Sequence, residues 1–556
     1  MKFRRISVIF IIIMFALLLF QCSQQSVPEN NDTKTTDSSP THPVFTGIPY
    51  AIGMAIDDLG WRNWVPDEGR DVTLLDYQNI IDVGENTGSR IMTAWILRDL
   101  DPNTIITNYT IDDGTYTYYL ADWLPWNNSG NLNTPISVST LMTLIKNNVA
   151  YIEFGVHGVS HEHYRKLNSD PDEPQYIKVS RSEFAKFEDE SSTPVDPVES
   201  WGQADMLNHL DCFEEIMRYW FPDPDTCSFP KSIVPPGHGY FYGDGTGYTT
   251  GKALASKGVK YVNGSTYVCT SLDEGGVDNG VVFINRAFGA NYNTLGQTAW
   301  YGDWNDFDYP DYPDESYGWV EAHFPNYWSR TGFDAVSEWT TYLKGLNNDD
   351  IRYLPKNTEQ CSSQWFYRRN AYINKITDNI FEIDNTNMPD NVYTYDLLGN
   401  LVIKTPIGNK HVSSAFINNG AEIVGYYETR EGSFNYGYLV IGHKSNTMGR
   451  LSKEYYTLVC SLGDATMPYY IDMTGITYNV YSFSVLSGSA TVSLEMYGTQ
   501  DIKIKLPFVP DVSNITSDNV NLTINGTPVY DGTFLTITVT GKDIQGEAGT
   551  LSISEL

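Results

Sequence analysis

The hydrophobic pattern of this chain changes once, near residue 371, and that change limits the folds open to it. From about residue 45 to 370, short apolar runs alternate with amphipathic stretches long enough for helices. Such alternation is typical of parallel strands joined by crossover helices. Beyond it, short runs with a period of two alternate with turns rich in Asn, Gly and Asp. We therefore predict an α/β fold followed by all-β, sandwich-like domains.

The length of 556 residues exceeds what one hydrophobic core usually organises, so several domains are expected. Composition and pattern predict their boundaries. A polar stretch with few apolar side chains separates the apolar amino terminus from the first strand, and the hydrophobic pattern changes near residue 371. The predicted segments are a leader at 1–22, a flexible tether at 23–44, the α/β domain at 45–370, a β-rich domain at 371–470 and a sandwich-like module at 471–556.

Periodicity also predicts individual elements within the α/β domain. The predicted helices cover residues 74–83, 138–147, 201–220, 250–257 and 334–346. The predicted strands cover residues 50–56, 90–97, 150–156, 231–234, 260–262, 281–284 and 319–323.

The amino terminus has the features of a targeting segment. Three basic residues precede an apolar stretch at 6–20, which is short for a membrane span. Its end resembles the lipobox of bacterial lipoproteins, with Leu19 in the expected place and Cys22 as the lipidated residue, whereas Phe20 and Gln21 depart from the usual small residues. An uncleaved anchor helix and an ordinary secretory signal are the alternatives. We predict an exported lipoprotein held at the membrane of the bacterial cell envelope or surface.

Charge and cysteine content limit the partners and the metal chemistry. Acidic residues outnumber basic ones by 68 to 36, a net charge of −32 that repels phosphate backbones. Nucleic acid is therefore not an expected partner, whereas a carbohydrate polymer is compatible. Because no Cys-x-x-Cys pair occurs, a zinc ribbon is not expected. Export permits disulfides, and Cys212 with Cys227 is the candidate pair.

Two polar clusters follow apolar runs and are therefore expected where buried strands end. Asp57 and Asp58 lie in Ala-Ile-Asp-Asp-Leu-Gly, and His157 and His161 lie in Val-His-Gly-Val-Ser-His. Loops at the carboxyl ends of parallel strands share one edge, so these clusters can converge. One carboxylate with two imidazoles suits a divalent metal with open positions, zinc foremost, with cobalt or another divalent ion as alternatives.

These motifs and their order resemble the polysaccharide deacetylase family, which has the NodB-homology fold and is also described as carbohydrate esterase family 4. Ala55 to Leu59 match its Thr-Phe-Asp-Asp-Gly motif, and His157 to His161 match His-(Ser/Thr)-x-x-His, with Gly158 in place of the Ser or Thr. The resemblance implies a distorted (β/α) barrel, with Asp57 as general base and Asp58, His157 and His161 as metal ligands.

Later family motifs are matched less closely. The segment 233–238 corresponds to the third motif but lacks the arginine that in the family pairs with the catalytic Asp, and His238 and Arg286 are the candidate substitutes. His323 follows an apolar run and resembles the fifth motif, which implies the general acid. Trp304 is the nominee for the fourth motif. Substrate contacts are predicted for Pro235, Pro236, His238 and Trp304.

The resemblance predicts a metal-dependent hydrolase that deacetylates N-acetylated sugars of a cell-envelope or extracellular polysaccharide. In the implied reaction metal-bound water attacks, Asp57 takes its proton and His323 protonates the leaving amine. Two alternatives stay open: an O-acetyl esterase using the same site, and a catalytically decayed surface protein that binds glycans or acts in adhesion. The aromatic segments 100–136 and 300–319 are either platforms for sugar rings or packing within long loops.

Overall fold

A computed structural model of the chain describes residues 46–60, 72–97, 106–112, 117–121, 138–159, 161, 163–166, 176–180, 183–187, 197–200, 202–236, 240, 250–264, 276–288, 318–324, 334–348, 350–430, 435–444 and 448–556. The predicted leader, the tether up to residue 44, His238 and Trp304 lie outside these ranges, as does most of both aromatic segments. Within the described ranges, no helix has the length and hydropathy needed to cross a membrane.

The α/β region alternates strands and helices as its periodicity predicts, and each of the seven predicted strands and five predicted helices overlaps an observed one. Its elements are β1 Tyr50–Ala51, β2 Gly53–Leu59, α1 Leu74–Thr87, β3 Ile91–Trp95, β4 Ile106–Asp112, β5 Thr117–Ala121, α2 Val138–Asn147, β6 Ile152–Val156, β7 His163–Lys166, β8 Tyr176–Ser180, β9 Ala185–Phe187, β10 Pro197–Ser200, α3 Gln203–Trp220, β11 Ser232–Ile233, α4 Thr250–Ser256, β12 Tyr261–Gly264, β13 Val277–Asp278, β14 Val281–Phe288, β15 Trp319–His323, α5 Ala335–Asn348, β16 Arg352–Tyr353 and α6 Thr358–Asn370.

Seven of these strands pair in parallel and return to their starting point. The order is β12, β11, β6, β3, β2, β15 and β14, and β14 pairs again with β12. Strand β13 adds to β14 as an antiparallel hairpin. Because all the ring pairings are parallel, the carboxyl ends of the seven strands lie at one edge. The polar clusters predicted from the sequence fall at that edge.

Local sequence signals determine where helix α1 begins and ends and which of its faces packs against the ring of strands. Thr73 and Asp76 form a capping box at its start, and Gly88 ends it in the left-handed conformation at φ 63°. Tyr77, on its buried face, stacks on Trp95 of β3 with ring centroids 5.6 Å apart. The apolar stripe of the helix therefore covers the strands next to the site.

The carboxyl-terminal part is β-rich, as predicted, and its strands form three sheets. Their orders are β17-β18-β23-β20, β19-β22-β21-β24-β27-β30-β29 and β25-β26-β31-β28, so one sheet joins strands from both 371–470 and 471–556. The elements are β17 Tyr372–Thr377, β18 Ile380–Asp384, α7 Asp390–Thr394, β19 Leu401–Pro406, β20 His411–Ile417, β21 Ala421–Thr429, β22 Tyr436–His443, β23 Tyr455–Gly463, β24 Tyr470–Asp472, β25 Asn479–Leu486, β26 Ser489–Met496, β27 Thr499–Lys505, β28 Thr516–Ser517, β29 Leu522–Tyr530, β30 Phe534–Gly541 and β31 Glu547–Ser554.

A buried polar network joins the β-rich part to the amino-terminal ends of the ring strands. Lys231, just before β11, pairs with Glu495 of β26 at 2.6 Å. Arg90, just before β3, donates to the carbonyl of Ile544 at 2.8 Å and lies over the ring of Tyr497. Buried charges need such partners, and here the β-rich part supplies them for Lys231 and Arg90 of the α/β region.

Glu359, in the first turn of α6, makes the stability of this network depend on pH. Burial and the charge of Glu495 raise the pKa of Glu359 to about 7, above that of a free glutamate. Stability from the protonated form is therefore present at acid pH and lost as pH rises through 7. We expect the free energy of unfolding to fall by up to about 3 kcal/mol between pH 4.5 and 8, because the unfolded carboxyl titrates near 4.5 and the folded one near 7.

Urea unfolding at both pH values measures this fall. Glu359→Gln should remove most of it, whereas Glu85→Gln, at an exposed position of α1, should leave it intact. Wild-type stability that stays constant from pH 4.5 to 8 would contradict the expectation.

The disulfide predicted between Cys212 and Cys227 is wrong. Cys227 is a buried free thiol whose Sγ donates to the carbonyl of Ser228 at 3.5 Å. Burial in the core of the α/β region raises the pKa of this thiol to about 12, so it is held in its neutral form.

Candidate metal centre

An irregularity in β2 brings both acids of the first motif to the same place. In a regular strand, neighbouring side chains point to opposite faces. The pairing of β2 with β3 shifts between Ile56 and Leu59, a bulge that covers Asp57 and Asp58. Asp58 adopts φ 60°, and both acids are buried. Because a bulge turns side chains away from their regular directions, two adjacent acids can serve one site.

The histidines of the second motif follow β6, two strands away in the ring. His157 is buried, and its Nδ1–H donates to the carbonyl of Val234 at 2.7 Å. This hydrogen bond fixes the tautomer and leaves Nε2 as the acceptor, and backbone carbonyls orient metal-binding histidines in the same way. Val234 comes directly before Pro235 and Pro236, so the third motif segment acts on the site through its backbone.

Asp58, His157 and His161 form a group whose potential ligand atoms all lie within 4.8 Å of one another. Asp58 Oδ1 is 3.1 Å from His157 Nε2 and 3.7 Å from His161 Nε2. Ligands at roughly 2.0–2.2 Å from a tetrahedral zinc lie about 3.4 Å apart, so both separations suit a shared ion. The donor set of one carboxylate and two imidazoles therefore fits a divalent metal.

The charge around His157 favours a cation at this position. Burial by itself lowers the pKa of His157, but the hydrogen bond and charge of Asp58, together with Asp57 and the Val234 carbonyl, raise it above its ordinary value. A metal requires the neutral imidazole, so protons compete with metal for Nε2 at acid pH.

Backbone strain coincides with these ligands. Asp58 and His161 are two of the five non-glycine residues in the described ranges with φ in the left-handed region, His161 at 64°. The other three are Asn or Asp. Asn, Asp and His are the non-glycine residues found most often in this conformation, which still costs about 1–3 kcal/mol at each position. Strain of this kind is concentrated at binding and catalytic sites, where the surrounding structure maintains it.

Arg286 supplies the cation that the third motif lacks. It lies on β14, almost fully buried, with Nη1 2.8 Å from Asp57 Oδ2 and Nε 3.0 Å from Glu321 Oε2 on β15. Burial lowers the pKa of Arg286, but the Glu321 and Asp57 carboxylates outweigh this and raise it. A guanidinium between two carboxylates holds Asp57 in one orientation beside the candidate metal ligands.

Glu183 explains why glycine stands at the second position of the histidine motif. Its buried carboxylate accepts the Val159 N–H at 2.8 Å. Gly158 has φ 100°, and a Cβ there would lie 2.7 Å from Glu183 Oε2. The carboxylate thus occupies the space that a serine or threonine side chain would need, and it supports the loop carrying both histidines.

We expect Gly158→Ala to weaken metal binding about 10- to 100-fold, the range for disturbed outer-shell contacts. The added Cβ must displace Glu183 and strain the backbone between His157 and His161. Titration of the metal-free chain with Zn²⁺ against a competing chelator measures the change. Gly258→Ala is the matched control, because Gly258 also has positive φ but has no atom within 4 Å of its Cβ position. Equal affinity in wild type and Gly158→Ala would contradict the role of this contact.

The structure describes some of the predicted site residues fully, one by its backbone alone and others not at all. Asp57, Asp58, His157 and His161 come together, and Pro235 and Pro236 are buried directly after Val234, whose carbonyl accepts the hydrogen bond from His157. The backbone of His323 pairs with Asp57 in the register of β15 and β2, and its side chain lies outside the described part. His238 and Trp304 lie outside it entirely.

Sequence reasoning missed two residues of this site. Glu321 had a signal, because an acid inside the apolar strand 319–323 requires a buried partner. Arg286 is likewise a charged residue inside an apolar strand, β14. From the sequence it is, with His238, a candidate substitute for the missing arginine. Glu183 has none, since nothing near it in sequence indicates that it reaches Gly158.

No protein-family model matches the chain, and no curated protein matches it.

Proposed function

We propose that this protein is a metal-dependent hydrolase that deacetylates N-acetylated sugars of a cell-envelope or extracellular polysaccharide. The observation that carries the proposal is the convergence of Asp58, His157 and His161 beside Asp57 and its arginine partner. We interpret the ring of seven parallel strands as a distorted (β/α) barrel of the NodB type, with its site at the carboxyl edge.

Asp58, His157 and His161 would hold the ion, zinc in the first instance. The metal would polarise the acyl carbonyl and activate water for attack. Asp57, adjacent to the ligands and held by Arg286, takes the proton from the attacking water. His323, whose backbone lies opposite Asp57 in the neighbouring strand, protonates the departing amine. Pro235, Pro236, His238 and Trp304 would contact the sugar.

The sequence also supports a location and a partner. The leader at 1–22 supports export and attachment to the membrane through a lipid on Cys22, which would place the enzyme at the bacterial cell envelope. The net charge of −32 supports a carbohydrate polymer rather than nucleic acid as its partner.

Acetate release from N-acetylglucosamine oligomers by the zinc- or cobalt-loaded chain tests the proposal. Wild type should bind one metal ion and release acetate, and chelation should abolish the release until metal is restored. His157→Ala should lose both metal and activity.

The three hypotheses give different results in this experiment. A chain without stoichiometric metal would indicate a decayed glycan-binding protein instead. Acetate release from O-acetylated but not from N-acetylated sugars would indicate the esterase, whose alcohol leaving group depends less on protonation by His323.

A further inference from the structure

The outer face of the sheet β17-β18-β23-β20 presents a row of aromatic and acidic side chains. Tyr372 pairs in register with Asp384, and Asp384 pairs with Tyr455. Paired residues of neighbouring strands lie on the same face. Tyr372 is 44% exposed and Tyr455 is 53% exposed, so this face is open to solvent. We call it the tyrosine face.

The two tyrosines are spaced for an extended chain. Adjacent strands lie about 4.8 Å apart, so residues two strands apart are about 10 Å from each other. That is about the length of a disaccharide. Asp384 lies on the strand between the two tyrosines, and its Oδ1 accepts hydrogen bonds from the N–H and the hydroxyl of Thr386. A third ring, Phe416, is 65% exposed on the same face and continues the aromatic surface.

The tyrosine face is acidic. Glu382 pairs in register with Asn374 and Thr457, one row from the tyrosines, and its carboxylate makes no hydrogen bond or ion pair among the described residues. The nearby Lys375 ammonium is 2.8 Å from Asp378, which neutralises it. With a net charge of −32 over the whole chain, the face is complementary to a cation and repels a polyanion.

We propose that the tyrosine face binds a glycan that carries free amino groups. Protonated amines are attracted both to the faces of tyrosine rings and to carboxylates, and the row of Tyr372, Asp384 and Tyr455 offers both together. Hydroxyl and amide groups of Asn374 and Thr457 add hydrogen-bonding partners for sugar hydroxyls. The choice of an amino-glycan rests on the proposed function, because deacetylation generates such chains. The β-rich part would then hold the product, or partly deacetylated substrate, near the catalytic domain.

Calorimetric titration of the full chain with a β-1,4-linked glucosamine hexamer, at a pH where its amines are protonated, tests the inference. An Asp57→Asn background prevents turnover. We expect Tyr372→Ala/Tyr455→Ala to weaken binding at least 10-fold, and Glu382→Gln to reduce the preference for the glucosamine hexamer over the N-acetylated hexamer. Tyr219→Ala, at an exposed tyrosine on α3, is the matched control and should bind as the parent does.

Undiminished binding by the double tyrosine variant would overturn the inference. Equal affinity of the parent for both hexamers, or self-association through this face in place of glycan binding, would also overturn it. These outcomes are independent of acetate release by wild type. If wild type releases acetate but the titration fails, only the inference about the tyrosine face is wrong. If the chain binds the hexamer but releases no acetate, only the proposed reaction is wrong.

Discussion

Asp57→Asn is expected to lower kcat for acetate release by about 10³-fold or more while leaving metal content unchanged, since general base catalysis contributes about 10²–10⁴-fold. An amide in the same position cannot accept the proton of the attacking water. The side chain is nearly isosteric, so the bulged end of β2 that contains Asp58 should keep its conformation. Metal analysis and steady-state kinetics on the same preparation measure both quantities.

The neighbouring acid provides the control. Asp58→Asn removes a carboxylate that lies 3.1 Å from His157 Nε2 and 3.7 Å from His161 Nε2, so it should lose metal as well as activity. The two adjacent substitutions thus separate the base from the ligand. If Asp57→Asn released acetate at the wild-type rate, the assignment of the base and the proposed reaction would both be wrong.

Arg286→Met should have the largest effect on stability, about 3–5 kcal/mol, because it leaves two buried carboxylates without their cation. The Arg286 side chain is 1% exposed, and those of Asp57 and Glu321 are each 3% exposed. We also expect kcat to fall about 100-fold with little change in KM, since misplacement of a catalytic group by about 1 Å costs on that order. Arg286→Lys keeps the charge, but a single ammonium group cannot reproduce the guanidinium contacts to both Asp57 and Glu321. Its effects should therefore be intermediate.

A double variant separates the two roles of Arg286. Arg286→Met/Glu321→Leu removes one of the carboxylates left unpaired, so part of the lost stability should return. The low kcat should persist, because Asp57 still lacks its guanidinium partner. Denaturant unfolding and kinetics measure the two effects. Recovery of kcat along with stability would show that Arg286 acts on the fold alone and does not orient Asp57.

Much of the fold is predictable because its signals are local. The apolar runs that end at Ile56 and Val156 lie in observed strands, as predicted. The first strand continues beyond its predicted end to Leu59, so Asp57 and Asp58 lie within it. The switch to period-two strands after residue 371 also marks the β-rich part correctly. A disulfide depends on distance and orientation in the fold, which the spacing of Cys212 and Cys227 in the sequence does not reveal.

The amino-acid sequence by itself determined which residues could hold a metal and where they fall, at the ends of buried strands, because side-chain periodicity and strand ends are properties of neighbouring residues. Only the tertiary structure decided what supports them. Arg286 reaches Asp57 across 229 residues because β14 and β15 come next to β2 when the ring closes. Glu183 reaches Gly158 from a segment beyond two hairpin strands, β7 and β8. Such contacts depend on which strands become neighbours, and no local pattern encodes that choice.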